Sequence, residues 1–211
     1  MAASGASALL IVDVQNDFCP GGSLAVPGGD EVVDVINRVS HRFARVVATQ
    51  DWHPPGHVSF ASSHAGRSPL ERVEAHGVNQ LLWPDHCVQG SWGAELHAGL
   101  DLRPVGCIIR KGTNPAIDSY SAFFENDRKT PTGLKDLLFE LGISRLYVTG
   151  LATDYCVLAS ALDAARLGFR TTVVVDAVRG VDAPPGSVEQ AFAEMGAAGV
   201  ERTDSAELAS R

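Results

Sequence analysis

The stretch "RLYVTGLATDYCVLASALDAARLG", residues 145–168, joins a β-branched run to a helical pattern through a very short connection. Its first part, 145–150, shows no alternation of polar and apolar residues, which is typical of a strand covered on both faces. Its second part carries apolar residues at helical spacing, namely Leu158, Ala161, Leu162 and Ala165. A strand that runs directly into a helix predicts one unit of a parallel α/β fold.

Four other runs predict buried strands in the same way. They cover residues 8–14, 45–50, 105–110 and 170–177. Between them lie two further helical patterns, formed by Val32, Ile36, Val39 and Phe43 and by Leu134, Leu137, Leu138 and Leu141. Gly142 and Gly168 stand where helix C-caps are expected. Strands that alternate with helices predict a three-layer α/β sandwich around a mostly parallel sheet.

Length, charge and cysteine content narrow the class of protein. No linker rich in serine, proline or glycine divides the 211 residues, so the sequence predicts a single domain over residues 1–211. A formal net charge of -8 with scattered Lys and Arg disfavours a nucleic-acid partner, and the apolar run at 8–12 is too short to cross a membrane. Four cysteines without a C-x-x-C pair predict reduced thiols and a cytoplasmic location. The oligomeric state stays open, and a homo-oligomer is compatible with the sequence.

Polar residues collect at the predicted carboxyl ends of four strands. Asp13 lies at the end of the first, Asp51 and His53 follow the second, Lys111 follows the third, and residues 150–156 follow the fourth. In an open parallel sheet these ends meet at one edge, where ligands bind. The sequence therefore predicts that an acid, a metal-type cluster, a lysine and a thiol share one site.

Two turn-rich stretches, "TQDWHPPGHVSF" at 49–60 and "WPDHCVQG" at 83–90, supply one carboxylate and three imidazoles. The candidate metal ligands are Asp51, His53, His57 and His86. This donor set suits a divalent transition metal, with zinc preferred over iron or manganese, and is less suited to calcium or magnesium. The sequence does not decide between an octahedral ion with two free positions and a closed tetrahedral structural site. A solvated loop in which the carboxylate hydrogen-bonds an imidazole is the alternative.

Cys156 lies three residues after Thr153, which is placed to cap the helix N-terminus. A helix N-terminus and a nearby cation such as Lys111 can both lower the pKa of a thiol, so the sequence predicts a reactive Cys156 with a lowered pKa. Asp13 can take the thiol proton and later return one to a leaving amine. Each residue alone also has an ordinary interpretation, as a buried thiol, a solvated lysine or a loop-capping aspartate. Their common location at one sheet edge favours catalysis.

Five blocks resemble the nicotinamidases of the isochorismatase-like hydrolase superfamily, in order and in spacing. They are "LLIVDVQNDFCPGGSLAV", "TQDWHPPGHVSF", "WPDHCVQGSWGAEL", "KGTNPAIDSYSAFF" and "LYVTGLATDYCVLASALDA". The resemblance covers nearly the whole chain. The resemblance implies an isochorismatase-like fold with Rossmann-like topology. It also implies an amidohydrolase that converts nicotinamide to nicotinate and ammonia through a cysteine thioester and feeds NAD salvage.

The resemblance further implies roles for residues at matching positions. A catalytic triad and a set of metal ligands fall on the residues already singled out, with Asp13, Lys111 and Cys156 for the triad and Asp51, His53, His57 and His86 for the metal. One divalent transition metal ion would orient the pyridine ring of the substrate.

The same resemblance implies how the rest of the pocket is built. Phe18, Trp83 and Tyr120 would form walls around the flat pyridine ring. The backbone N–H groups of Ala152 and Cys156 would form the oxyanion hole. A cis peptide bond between Leu151 and Ala152 is implied next to them.

Three alternatives stay open at the level of the sequence. One is an amidohydrolase of the same superfamily for another small amide or ureido compound, against which the four-ligand set argues. Another is a metal redox enzyme, since His and carboxylate ligands also hold non-haem iron, although such an enzyme needs no cysteine in a first helical turn. The third is a non-catalytic metal-binding module in which Cys156 is an inert core residue.

Overall fold

Alternating strands and helices make up most of the chain, as the sequence predicts. The computed structural model describes residues 6–210. Its strands are β1 (Ala6–Val12), β2 (Val46–Asp51), β3 (Arg72–Ala75), β4 (Val78–Leu81), β5 (Cys107–Lys111), β6 (Ile143–Leu151), β7 (Arg170–Arg179) and β8 (Glu201–Thr203). Six of them form one sheet in the order β5-β2-β1-β6-β7-β8, with every neighbouring pair parallel. β3 and β4 form a separate antiparallel pair.

Helices cover both faces of the six-stranded sheet. They are α1 (Glu31–Ser40), α2 (Leu134–Glu140), α3 (Leu158–Arg166), α4 (Ser187–Ala197) and α5 (Ser205–Ser210). Successive residues of a strand point to opposite faces. Leu10 of β1 accordingly packs in the core shared with α2, α3 and α4, and Leu9 packs in the core shared with α1 and α5. The predicted three-layer α/β sandwich is confirmed.

The predicted elements agree with the observed ones, with small shifts at their ends. The five predicted strands correspond to β1, β2, β5, β6 and β7. Gly142 and Gly168 adopt φ angles of 67° and 92° just beyond the ends of α2 and α3, as expected of C-terminal caps. The apolar pattern predicted a first helix that continues to Phe43, whereas α1 ends at Ser40. α4, α5, β8 and the β3–β4 pair were not predicted, since they are short or rich in Ala, Gly and Glu.

The order of the strands in the sheet decides which of the following loops lie next to one another. β1 and β6 are central, and their residues are almost all buried because helices pack on both faces. The carboxyl ends of β5, β2, β1 and β6 are neighbours, so the loops that follow them meet. No helix among residues 6–210 is long and apolar enough to span a bilayer.

Gly150 allows β6 to approach β1 closely, and its replacement should be costly. Its φ is 107°, and a Cβ at this position would lie 2.0 Å from the carbonyl oxygen of Val12. Because this neighbour is backbone in a buried sheet, Gly150→Ala should lower the free energy of unfolding by at least about 3 kcal/mol. Urea unfolding measures this loss. Gly168→Ala is the matched control, since its φ of 92° is similar but its Cβ would meet nothing within 4 Å. Equal losses in the two variants would contradict the steric argument.

Candidate active site

The carboxyl ends of four adjacent strands carry residues that the sequence singled out. Asp13 follows β1, Asp51 ends β2, Lys111 ends β5, and Cys156 lies in the turn after β6. Asp51 and Lys111 are register partners across β2 and β5. The structure therefore brings the predicted acid, lysine and thiol together, although they are far apart in the chain.

Lys111 is completely buried and lies between two carboxylates. Its Nζ is 2.9 Å from Asp13 Oδ2 and 2.6 Å from Asp51 Oδ1, and it donates to the carbonyl oxygen of Ser119 at 2.9 Å. The Sγ of Cys156 is 3.5 Å from the same nitrogen. A buried ammonium needs such partners in place of its lost water. One cation therefore contacts both acids and the thiol.

These contacts fix the protonation of the lysine and tune the acid. Burial favours the neutral amine, but the charges of Asp13 and Asp51 outweigh it and hold the pKa of Lys111 well above its usual value. Burial raises the pKa of Asp13, and Lys111 only partly opposes this rise. The hydroxyl of Thr49 donates to Asp13 Oδ1 at 2.6 Å and fixes the orientation of the carboxylate. Lys111 thus stays charged, whereas Asp13 is a stronger base than an ordinary aspartate.

The thiol of Cys156 differs from the sequence-based expectation. Burial raises its pKa well above the usual value, and Lys111 lowers it too little to compensate, because Asp13 and Asp51 also raise it. Burial and the two carboxylates thus oppose the lowered pKa expected from the sequence, and they favour the form of the thiol that keeps its proton. A base is needed to remove that proton, and Asp13 and Asp51 each place a carboxylate oxygen within 4.8 Å of the sulfur.

The connection between β6 and α3 is not the predicted capped helix start. Thr153–Val157 form a π-helical turn, and the N-cap residue is Ala152, without a side-chain hydrogen bond. The prediction that Thr153 caps the helix is wrong, because the N–H groups of Tyr155 and Val157 donate to the carbonyl of Ala152. The peptide bond between Leu151 and Ala152 is cis, as the resemblance implied. π-Helical turns are frequent at functional sites, and this one carries Cys156.

Asp51, His53 and His86 form a buried cluster whose donors fit a divalent metal ion. One candidate ligand atom of each lies within 4.8 Å of the other two. His53 donates from Nδ1 to the carbonyl of Gly112 at 2.9 Å, and His86 donates from Nδ1 to that of Pro84 at 2.7 Å. These bonds leave the Nε2 lone pairs for a ligand, which is the usual arrangement of metal-binding histidines. His53 Nε2 is buried without any hydrogen-bond partner.

His57, the fourth predicted ligand, lies beside His53 and outside this three-residue cluster. The two imidazole rings stack with centroids 4.2 Å apart. His57 Nδ1 is 2.8 Å from Ser59 Oγ, and Nε2 is 3.2 Å from the carbonyl oxygen of Ile117. Its candidate ligand atom groups with those of His53 and Asp118. The structure therefore gives two overlapping sets that share His53, and it does not bring the four predicted ligands into one set.

A small cavity, with about 30 Å³ of space for the centre of a water molecule, opens beside the thiol and the imidazole of His86. Trp83 donates its Nε1–H to the hydroxyl of Tyr120 at 3.0 Å, which holds two aromatic walls together. The lining residues are Phe18, Leu24, Asp51, Trp83, His86, Asp118, Tyr120, Ala152, Tyr155, Cys156 and Val181. All three aromatic residues implied by the resemblance are among them. Such a cavity suits a small flat ring that carries a polar substituent.

Tyr155 and Val181 line the cavity, although no role was predicted for them from the sequence. The ring of Tyr155 meets that of Trp83 edge-on, with centroids 4.8 Å apart. Its hydroxyl donates to the carbonyl of Ala183, and Asp154 accepts the N–H of Val181 at 3.0 Å. The two residues that precede Cys156 in the chain thus hold the loop after β7 against the cavity. This loop has no hydrophobic period, so sequence alone gave no signal of its contact.

The buried histidines predict how the metal-free protein responds to acid. Burial lowers the pKa of both His53 and His86 to about 4, from about 6.5 in the unfolded chain. The stability that these neutral rings contribute is complete above pH 6.5 and is lost as the pH falls through about 4. The unfolding temperature of the chelator-treated protein should therefore decrease as the pH is lowered from about 6.5 to about 4. His86→Gln should flatten the decline, and an identical decline in wild type and variant would contradict the assignment.

Comparisons with known proteins agree with the fold. The family model described as the isochorismatase domain matches residues 7–207. The chain is 50% identical over 198 residues to the nicotinamidase of Acinetobacter baylyi, covering 94% of this chain and 92% of that one. It is 51% identical over 196 residues to the nicotinamidase of Escherichia coli, covering 91% and 92%.

Solved structures give the same result. A nicotinamidase/pyrazinamidase of Acinetobacter baumannii superposes with a TM-score of 0.93 at 50% identity, covering 96% of this chain and 97% of that one. The yeast nicotinamidase bound to the inhibitor nicotinaldehyde gives 0.87 at 32% identity, covering 94% and 99%. A pyrazinamidase of Pyrococcus horikoshii in complex with zinc gives 0.78 at 38% identity, covering 94% and 98%.

Proposed function

Because the chain belongs to the isochorismatase family and, within it, to the nicotinamidases, we propose that it hydrolyses nicotinamide to nicotinate and ammonia. The observation that carries this proposal is the 3.5 Å contact between the Cys156 sulfur and the Lys111 ammonium at the wall of an aromatic cavity. A metal redox enzyme has no use for this thiol, and a non-catalytic module has no use for the buried base beside it. The flat walls suit a pyridine ring better than an acyclic ureido group.

In the first half of the proposed reaction, the thiol of Cys156 passes its proton to Asp13 while the sulfur adds to the carboxamide carbon. Lys111 keeps its charge and stabilises the negative charge that develops on the sulfur. The N–H groups of Ala152 and Cys156 receive the oxyanion. The C–N bond then breaks, and ammonia leaves with the proton held by Asp13. The product of this half is a thioester on Cys156.

In the second half, Asp13 removes a proton from a water molecule as the water oxygen adds to the thioester carbon. The C–S bond breaks, and the sulfur recovers the proton from Asp13. Nicotinic acid loses its own proton to solvent. The same carboxylate therefore serves both halves, which is consistent with its raised pKa.

We propose that Asp51, His53 and His86, with His57 beside them, hold one divalent transition metal ion. Zinc is the first choice, because imidazole and carboxylate donors suit it and a related pyrazinamidase is described with zinc. When bound, the ion supplies a positive centre for the pyridine nitrogen, directly or through water. The unpartnered Nε2 of His53 supports this assignment. Phe18, Trp83 and Tyr120 then hold the ring so that its carboxamide reaches Cys156.

The wider setting follows from the proposed reaction. Nicotinate is a precursor for pyridine nucleotides, so the enzyme would serve NAD salvage. All four cysteines are free thiols, which is compatible with a cytoplasmic location, where thiols stay reduced. The proposed enzyme would consist of a single domain. A homo-oligomer is compatible with these features.

The direct test is ammonia release from nicotinamide by the purified, metal-loaded protein. Benzamide is the matched control, because it keeps the carboxamide and the ring but lacks the ring nitrogen. We expect turnover of nicotinamide and at least about tenfold slower turnover of benzamide, since one polar contact is lost. Chelation should lower the rate, and added Zn²⁺ should restore it. Absence of ammonia release from the zinc-loaded protein would overturn the proposed function.

A further inference from the structure

Asp118 is a buried carboxylate beside the imidazoles that the proposed mechanism does not use. It is 3% exposed and lines the cavity. Its Oδ2 accepts the side-chain N–H of Gln80 at 2.8 Å, and its Oδ1 accepts the backbone N–H of Ser119 at 2.8 Å. Two donors aimed at its two oxygens favour the ionised form. Among residues 6–210, no lysine or arginine lies within ion-pair distance of it.

The charge around the cavity is not balanced by the described residues. Close to Lys111 and the imidazoles, the buried carboxyl groups are those of Asp13, Asp51, Asp118 and Glu125, and the buried ammonium is that of Lys111. Lys111 forms ion pairs with Asp13 and Asp51, and it forms none with Asp118. Even with Glu125 protonated, the carboxylates exceed the cation by two charges. Buried charges that lack partners are costly, so a cation held close to Asp118 would stabilise this carboxylate.

The geometry shows where that cation belongs. Asp118 contributes one oxygen to the set formed with His53 and His57, in which all candidate ligand atoms lie within 4.8 Å of one another. His53 belongs to this set and to the cluster with Asp51 and His86. Its Nε2 is the buried nitrogen without a partner. A carboxylate from each set therefore lies close to the same imidazole, that of His53.

We propose that Asp118 is a second carboxylate of the metal centre, which balances the divalent charge and thereby raises the affinity of the site for the ion. The proposal rests on the metal site of the proposed function. It assigns no proton transfer to Asp118. It explains why an aspartate without a cationic partner is kept in the wall of the cavity, next to imidazoles that carry no charge themselves.

The test is Zn²⁺ affinity, measured by competition with a chelating dye on metal-free protein. Asp118→Asn should weaken Zn²⁺ binding about 10- to 100-fold, the usual effect of removing an outer carboxylate. The rise in unfolding temperature on adding Zn²⁺ should shrink in parallel. This rise compares each variant with itself, so any structural cost of the substitution cancels. Asp118→Glu keeps the charge and should bind Zn²⁺ more tightly than Asp118→Asn. If Asp118→Asn does not fold, Asp118→Ser replaces it.

Asp163→Asn is the matched control, because Asp163 is also a buried carboxylate but pairs with Arg128 at 2.8 Å and Arg166 at 3.0 Å. It should lose stability and keep its Zn²⁺ affinity. Equal Zn²⁺ affinity in wild type and Asp118→Asn would overturn the role of Asp118. Failure of the wild-type protein to bind Zn²⁺ would instead overturn the metal site itself, so the two failures are distinguishable.

Discussion

Replacing Cys156 by alanine should abolish ammonia release from nicotinamide, with a loss of turnover of about 10³-fold or more. The sulfur lies next to the buried lysine and acid, 3.5 Å from Lys111 Nζ, and alanine leaves no thiol to form the thioester. The fold and the metal site should survive, because Cys156 makes no contact that either one needs beyond filling space. Steady-state ammonia release and bound zinc per chain check the two halves of this expectation.

Cys107→Ala is the matched control for that variant. Cys107 is also a free thiol, but it begins β5 and is only partly buried, away from the cavity lining. Its replacement should leave turnover unchanged. The covalent mechanism would be untenable if Cys156→Ala kept normal turnover, or if the two alanine variants lost activity equally.

The same thiol illustrates what the sequence could and could not predict. Its position after a strand and at the start of a helix was visible in "VTGLATDYC", and the parallel topology then placed it beside Asp13 and Lys111. Its raised pKa was not visible. That pKa depends on complete burial and on Lys111 being shared with two carboxylates, and neither fact is local in the sequence.

The imidazole site shows a related limit. Short spacing in "DWH" predicted that Asp51 and His53 belong together, and the distant His86 joins them in space. His57 follows the same stretch but turns toward Ser59 and stacks on His53, because the loop geometry rather than the spacing directs its ring. Asp118 had no spacing signal at all, and only the three-dimensional structure places it at the cavity.

The fold was predictable for a different reason. Buried parallel strands require continuous apolar runs, and covering helices require one apolar face, so β1, β2, β5, β6, β7 and three helices left clear patterns. β8 has three residues, of which one is buried, and α4 buries few side chains. Such elements follow from the packing of their neighbours, and their own sequences contain too few apolar residues to reveal them.

Replacing Lys111 by methionine should destabilise the protein by about 3–5 kcal/mol, because it leaves Asp13 and Asp51 buried without their cation. For a chain of this size the unfolding temperature should fall by roughly 10 °C. Thermal unfolding at neutral pH measures the fall. Lys129→Met is the matched control, since Lys129 is exposed, and its unfolding temperature should stay within about 2 °C of wild type.

The same variant should lose activity in a pH-dependent way. Without Lys111, the pKa values of Asp13 and Cys156 should rise further, since its charge lowers both of them. The remaining activity should therefore shift toward higher pH, where the proton can still leave the thiol. A pH profile of ammonia release measures the shift, and an unchanged profile would remove the electrostatic role of Lys111.

A double-mutant cycle separates the ion pair from simple packing. Asp13→Asn removes one carboxylate that Lys111 compensates at 2.9 Å, so Lys111→Met should cost less in the Asp13→Asn background than in wild type. We expect a coupling free energy of roughly 1–3 kcal/mol, the range found for residues in one buried network. Additive losses would mean that Lys111 stabilises the site through the space it fills. A clear coupling would instead mean that the buried charge itself holds the acid and the thiol in one arrangement, as the proposed reaction requires.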